Sequence, residues 1–150
     1  MCAAAHGNAS RVAWLLARGA QTEAKDAAGS TALYWASSQG HADAARALLA
    51  AGATVDAADE SGRTPLYIAA RDGHTDAMRA LIASGANVDA ARSWGLRPLH
   101  VASDNDRVAD VALLLDAGAD VNALDGSGHS PLTWAGTPKM RAFLVARGGV

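Results

Sequence analysis

Residues with the chemistry of catalysis or metal binding are few in this chain, and none forms a complete set. Cys2 and His6 are spaced as two metal ligands on one helix face would be, but a structural zinc site needs four ligands and none completes the set nearby. Asp104-Asn105-Asp106 begins like a calcium loop but lacks its spacing and closing glutamate. Gly126-Ser127-Gly128 lacks the third glycine and the lysine of a phosphate loop. We therefore expect no catalytic residue, cofactor or metal site, and a hairpin turn at the last of these motifs.

The elements that carry these residues recur with a fixed period of 33 residues. Each period has a glycine followed four residues later by a leucine, and the four pairs are Gly29 and Leu33, Gly62 and Leu66, Gly95 and Leu99, and Gly128 and Leu132. An apolar pair followed by Gly-Ala recurs with the same period of 33 residues, as in Leu48-Leu49 with Gly52-Ala53. A period of this length is typical of stacked repeats, in which each unit buries its apolar face against the next.

The repeat resembles the ankyrin unit, whose 33 residues carry Thr-Pro-Leu-His-x-Ala. Arg97-Pro98-Leu99-His100-Val101-Ala102 keeps all of this motif except the threonine, and Thr64-Pro65-Leu66-Tyr67-Ile68-Ala69 keeps all except the histidine. The resemblance covers essentially all 150 residues. It implies an all-α ankyrin-repeat solenoid of stacked helix-turn-helix units with β-hairpin loops. We expect a single domain with a partial repeat over residues 1–25, repeats over 26–58, 59–91 and 92–124, and a shortened C-terminal repeat over 125–150.

Local chemistry predicts how each repeat folds. In the second repeat, Asp26 and Gly29 favour a turn, and Thr31 stands at the N-cap of a helix over residues 32–39. A second helix is expected over residues 41–51, ended by Gly52. In the third repeat Thr64 and Pro65 repeat the helix start. In the last repeat Thr137 and Pro138 predict a cap and a first turn for a helix over residues 139–147.

The fourth repeat departs from this framework at three places. Arg92 replaces the turn aspartate, Arg97 replaces the capping threonine, and Asp106 stands where the other repeats have glycine. A lost cap costs about 0.5–2 kcal/mol, and a left-handed aspartate costs more than glycine does. We therefore expect other contacts to compensate for these changes.

The histidines and tryptophans divide into structural and candidate binding residues. The resemblance implies that His41, His74 and His100 bond the backbone near helix starts and turns, and the repeat alignment predicts that Trp14, Trp35 and Trp134 pack between repeats. Trp94 and Leu96 instead align with small or polar turn residues. Two large apolar residues at an exposed turn could form a binding hot spot, or they could pack on each other and on neighbouring hairpins.

The resemblance implies a non-catalytic module that binds a protein partner through its concave surface of hairpin tips and first helices. Carried over to this sequence, the candidate partner-binding residues are Glu60, Arg63, Arg71, Asp72, Trp94, Leu96, Asp104, Asn105 and His129. Their charges are of both signs, which suits a protein partner. The alternatives are catalysis or small-molecule binding by the solenoid itself, and an engineered binder on this scaffold. The repeats differ from one another at framework positions, which favours a natural sequence over an engineered one.

Composition narrows the class of partner. The net charge of -2 and a pI near 6.2 give no electrostatic reason to expect nucleic acid or an anionic membrane. Cys2 is the only cysteine, and no apolar run is long enough to cross a membrane. We expect a cytoplasmic monomer. Because the chain opens inside a repeat, it could also be a regulatory or scaffolding segment of a larger, possibly enzymatic, protein.

Overall fold

The computed structural model describes residues 1–150, and its regular structure is entirely helical. The helices are α1 Cys2–Ala5, α2 Ala9–Leu16, α3 Ala32–Ser38, α4 Ala42–Ala50, α5 Pro65–Asp72, α6 Thr75–Ala83, α7 Pro98–Asp104, α8 Val108–Asp116, α9 Pro131–Trp134 and α10 Pro138–Ala146, with one 3-10 turn at Ser93–Gly95. Helix α9 is short because the last repeat has fewer residues than the others.

The helices form two layers. The first-helix layer contains α1, α3, α5, α7 and α9, each packed on the next, and the second-helix layer contains α2, α4, α6 and α8 packed in the same way, followed by α10. Each first helix also packs on its own second helix. This is the predicted all-α solenoid.

Side chains at the predicted positions start and stop the helices. Thr31 Oγ1 accepts the backbone N–H of Tyr34 at 3.3 Å, and Thr64 Oγ1 accepts that of Tyr67 at 3.2 Å. Each bond satisfies a donor that the first helical turn leaves free. Gly73 ends α5 in the left-handed conformation, with a φ of 76°. The two predicted threonine caps are confirmed.

The core runs between the two layers as one continuous cluster. The leucine of the repeat motif is fully buried in the internal repeats, and an alanine three residues later lets adjacent first helices approach closely. These residues are Leu33, Leu66 and Leu99 with Ala36, Ala69 and Ala102. The second helices contribute Leu48, Met78, Leu81, Val111 and Leu114.

The loops that precede the first helices are tight turns and contain no β-strand. In the second repeat, Asp26 Oδ1 accepts the backbone N–H groups of Ala28 and Ser30, both at 2.9 Å. Asp59 and Asp125 make the same pair of bonds in their own turns. The predicted hairpins are therefore turns held by a side-chain acceptor, and the carboxylate takes the N–H groups that a strand partner would otherwise take.

Histidines join one repeat to the next. His41 Nε2 donates to the carbonyl of Ala5 at 3.1 Å, and His74 Nε2 donates to that of Ser38 at 3.0 Å. In the fourth repeat Arg107 takes this place and donates to the carbonyl of Gly73. The predicted structural role of these histidines is confirmed.

Candidate protein-binding surface

Each turn aspartate has a second oxygen that a neighbouring side chain occupies. The indole N–H of Trp35 donates to Asp26 Oδ2 at 2.7 Å, and that of Trp134 donates to Asp125 Oδ2 at 3.0 Å. In the third repeat, where Ile68 replaces the tryptophan, Arg63 donates to Asp59 Oδ2 instead, at 2.7 Å from Nε. Trp35 and Trp134 therefore fix the turns, and Trp134 also packs against the core. Sequence reasoning missed this role, although an aspartate followed by tryptophan nine residues later occurs in both repeats.

These bonds favour the ionised form of each carboxyl group. The indole of Trp35 lowers the pKa of Asp26, and the backbone N–H of His129 lowers the pKa of Asp125. Burial by itself would raise the pKa of Asp59, but the bonds from Arg63 outweigh it, and the pKa is lowered. Burial also lowers the pKa of His100, whose ring is fully inside the protein. All four groups thus titrate at lower pH in the folded chain than in the unfolded chain.

We expect two stages of acid destabilisation as a consequence. A group with a lowered pKa contributes stability above its unfolded pKa and loses it as the pH falls through its folded pKa. The urea midpoint should therefore be constant between about pH 7 and about pH 9, decline below about pH 6.5 as His100 is protonated, and fall more steeply below about pH 4 as the three aspartates are protonated. Trp35→Phe, which keeps the ring and removes the indole N–H, should make the slope below pH 4 shallower. A midpoint independent of pH down to about pH 3 would contradict this expectation.

The fourth repeat compensates for its missing cap with its motif histidine. His100 Nδ1 accepts the backbone N–H of Arg97 at 3.3 Å, while Nε2 donates to the carbonyl of His129 at 3.2 Å. The Arg97 side chain approaches Asp89 at 3.4 Å, which sets its charge against an acidic partner. His100 therefore links the helix start of the fourth repeat to the turn of the fifth.

The two other substitutions are also accommodated by neighbours. The Arg92 guanidinium lies 5.3 Å from the centre of the Tyr67 ring, a cation-π distance. Asp106 has a φ of 58°, and its carboxylate accepts a hydrogen bond from Thr137 Oγ1 at 2.5 Å. Neighbouring side chains thus contact all three substituted residues, but the buried Nε atoms of Arg92 and Arg97 have no hydrogen-bond partner.

Trp94 is the most exposed tryptophan, with 80% of its surface accessible. Its φ of 67° lies in the left-handed region, and Asp106 is the only other non-glycine residue there. The carbonyl of Trp94 accepts the backbone N–H of Gly126 at 2.6 Å. A Cβ atom on Gly126 would lie 2.9 Å from that oxygen, so only glycine permits this approach. The fifth repeat therefore holds the Trp94 backbone in its strained conformation.

Of the two alternatives for Leu96, an exposed hot-spot residue or a residue packed internally, the structure favours the second. Leu96 is 9% accessible and belongs to the core cluster. Its backbone has left the turn and is extended, with φ -70° and ψ 126°, at the residue that leads the chain back toward α7. Leu96 therefore packs internally, while Trp94 projects into solvent alone.

Trp14 departs from the prediction. It is 52% accessible, and the Arg18 guanidinium lies 3.7 Å from the centre of its ring. Trp14 belongs to α2, which has a neighbouring second helix on one side only. The predicted packing of Trp14 between repeats is therefore wrong.

The other candidate residues lie along the turns and the ends of the first helices. Arg71 and Asp72 pair at 2.7 Å, and Asn105 Nδ2 donates to the carbonyl of Arg71 at 2.8 Å. Glu60 and Asp104 are exposed, and their carboxylates make no hydrogen bond or ion pair. Two further candidates pair with the aspartate of their own turn: Arg63 is bound to Asp59, and His129 Nδ1 is 3.7 Å from Asp125. Asp104 and His129 line one recess between α7 and α9.

No set of three or more histidine, cysteine, aspartate or glutamate side chains converges as metal ligands would. His6 Nδ1 donates to the carbonyl of Cys2, so the two residues share a turn through the backbone. No helix is both long enough and apolar enough to cross a membrane.

Comparison with known families agrees with this geometry. A family model described as ankyrin repeats in three copies matches residues 1–92 and, in a second overlapping match, residues 56–125. The chain belongs to the ankyrin-repeat family. Ankyrin repeats are generally protein-protein interaction modules and are typically non-catalytic. A comparison with curated proteins finds none that matches this chain.

Proposed function

We propose that this chain is a non-catalytic module that binds another protein through its turn tips and first-helix layer, with Trp94 as the principal anchor. The single observation that carries the proposal is the exposed, strained conformation of Trp94. A left-handed residue with a side chain costs about 1–2 kcal/mol relative to the usual conformation. At 80% exposure the indole returns little packing energy to the fold. Strain retained without a packing benefit favours a role in binding.

The surroundings of Trp94 suit a protein partner. Tryptophan is enriched at the centres of interfaces, where a ring with few rotatable bonds buries a large area at low entropic cost. Glu60, Arg71 and Asp104 supply charges of both signs along the same layer. These residues lie in turns and at helix ends that the packed repeats hold in place, so binding orders few additional groups.

The other parts of the proposal follow from composition and family. We take the module to be a cytoplasmic monomer that contacts neither nucleic acid nor a membrane. Its net charge of -2 supplies no electrostatic attraction to phosphate.

The proposal is tested by affinity capture from lysate of the source organism with three baits. The parent chain and Trp14→Ala should retain the same protein, because Trp14 lies on the second-helix layer, and Trp94→Ala should lose it. The Trp14 variant controls for removal of an exposed indole. Equal retention by all three baits would refute Trp94 as the anchor. Retention of no protein by any bait would favour a regulatory or scaffolding segment of a larger protein.

A second expectation concerns stability. Trp94→Gly should raise the free energy of unfolding by about 1 kcal/mol, because glycine adopts a positive φ without strain and little packing is lost. Asp106→Gly is the matched control, since it relieves the same strain but removes the bond to Thr137, and its net effect should be near zero. Chemical denaturation of both variants measures the difference. A less stable Trp94→Gly would mean that the indole packs on the fold.

A further inference from the structure

A recess of about 300 Å³ opens between the fourth and fifth repeats on the first-helix layer. Four side chains line it, those of Asp104 from the end of α7, His129 from the turn before α9, and Thr133 and Trp134 from α9. The same turn carries Gly126, whose N–H binds the Trp94 carbonyl. The turn before α9 therefore contacts the Trp94 backbone through Gly126 and lines the recess through His129.

The aromatic wall of the recess is fixed in the free protein. Trp134 is anchored through its indole N–H to Asp125, and its ring meets the His100 ring edge-on, with centroids 6.3 Å apart and planes at 83°. His100 is in turn bonded at both nitrogens. The half-buried indole is therefore held in one orientation before any ligand arrives.

The Asp104 carboxylate forms the acidic wall of the recess, and no cationic side chain pairs with it. The Asp104 carboxylate is exposed and makes no side-chain hydrogen bond or ion pair. Asp104 is the last residue of α7, where the free carbonyl groups of the helix already give a negative potential. Two arginines of the same repeats are bonded to other groups, Arg97 to Asp89 and Arg141 to the carbonyl of Ala135. At the aligned position of the third repeat stands Arg71, which is paired with Asp72. Only the fourth repeat presents a free carboxylate at this place.

We propose that this recess binds the cationic side chain of an arginine or lysine on the partner protein. The positive group lies against the Trp134 ring and pairs with the Asp104 carboxylate, and the Thr133 hydroxyl accepts a further hydrogen bond. A carboxylate beside an aromatic ring favours a cation over a neutral or an acidic group, because both the charge and the ring face attract positive charge. This inference rests on the proposed function, because it defines which residue of a protein partner enters the site beside Trp94.

The test is an NMR titration of the whole ¹⁵N-labelled chain with N-acetyl-arginine methylamide. N-acetyl-citrulline methylamide is the control ligand, since it has nearly the same shape and no charge. The Trp134 indole and Thr133 amide signals should shift saturably with the arginine probe and at least about threefold less with citrulline. Asp104→Asn should remove the difference between the probes. Asp76→Asn, which removes an exposed charge from the second-helix layer, should leave that difference intact.

Three results would overturn the inference. These are equal shifts with both probes, an Asp104→Asn response equal to that of the parent, and no saturable shift up to about 100 mM arginine probe. Binding measurements with a captured partner distinguish failure of this inference from failure of the proposed function. If that partner binds the parent and Asp104→Asn equally well, the recess is not its site, although the chain remains a binding module. If the inference is right, Asp104→Asn should bind the partner about tenfold more weakly.

Discussion

Replacing Leu66 with alanine is expected to lower the free energy of unfolding by about 3–5 kcal/mol, the largest effect of any single substitution considered. Leu66 is fully buried in α5, which packs on α3 on one side and on α7 on the other. The cavity cannot collapse easily, because the methyl groups of the alanines at these helix contacts are too short to fill it. A change in a central repeat also weakens two repeat interfaces at once.

Leu132→Ala is the matched control for this prediction. Leu132 holds the same position in the repeat, but it is only partly buried and lies in the short helix α9. Its replacement should cost about 1–2 kcal/mol. Equilibrium denaturation in urea measures both variants. Equal losses would mean that the central repeat does not carry the stability of the stack.

Gly40→Ala is expected to cost about 2–4 kcal/mol, far more than Gly52→Ala at about 1 kcal/mol. Both glycines have a positive φ, 73° at Gly40 and 83° at Gly52. A Cβ atom on Gly40 would lie 2.5 Å from Nδ1 of His74, whereas nothing lies within 4 Å of one on Gly52. The His74 ring is itself held by its bond to the Ser38 carbonyl, so it cannot move without losing that bond.

Thermal unfolding of the two glycine variants separates the cost of the backbone from that of the contact. Gly52→Ala measures the backbone term alone, and the excess loss in Gly40→Ala measures the histidine contact. Asp106 shows how a side chain is tolerated at the position aligned with Gly40, since the smaller Thr137 stands there in place of the histidine ring and bonds the carboxylate. Equal destabilisation by the two alanines would contradict this account.

Much of the fold follows from the period of the sequence. Thr31, Thr64 and Thr137 each cap a helix as their position predicts, because capping depends on a residue and a donor three positions away. The buried leucines follow from their spacing in the repeat in the same way. Such features depend on short stretches of chain, and a repeat shows them several times.

Features that depend on the next repeat or on backbone direction were harder to predict. Leu96 and Trp94 are two residues apart in one turn, yet the first is in the core and the second is in solvent, because the turn ends between them. Trp14 is exposed because α2 packs on one neighbouring second helix, which alignment with internal repeats does not reveal. The bond from each tryptophan to its turn aspartate joins residues that a pattern of apolar spacing treats as independent.

The candidate surface was predicted in outline. The exposure of Trp94 agrees with its place in the repeat, but its strain depends on the contact with Gly126 in the following repeat. The repeat pattern predicts Asp104 and His129 as partner-binding residues at a helix end and a turn. Their common recess depends on the stacking of α7 against α9, and the free state of Asp104 depends on which partners its neighbouring arginines find. Pairing of long side chains is decided by three-dimensional packing.

The dissociation constant of the captured protein for the parent chain and for Trp94→Gly tests the central claim most directly. If Trp94 anchors the partner, Trp94→Gly should bind at least about 30-fold more weakly, equivalent to about 2 kcal/mol, while being at least as stable as the parent. A variant that is more stable and binds more weakly would mean that tryptophan is retained at this strained backbone position for binding. Equal dissociation constants would contradict the account, because Trp94 would then be strained and exposed without contributing to the interaction.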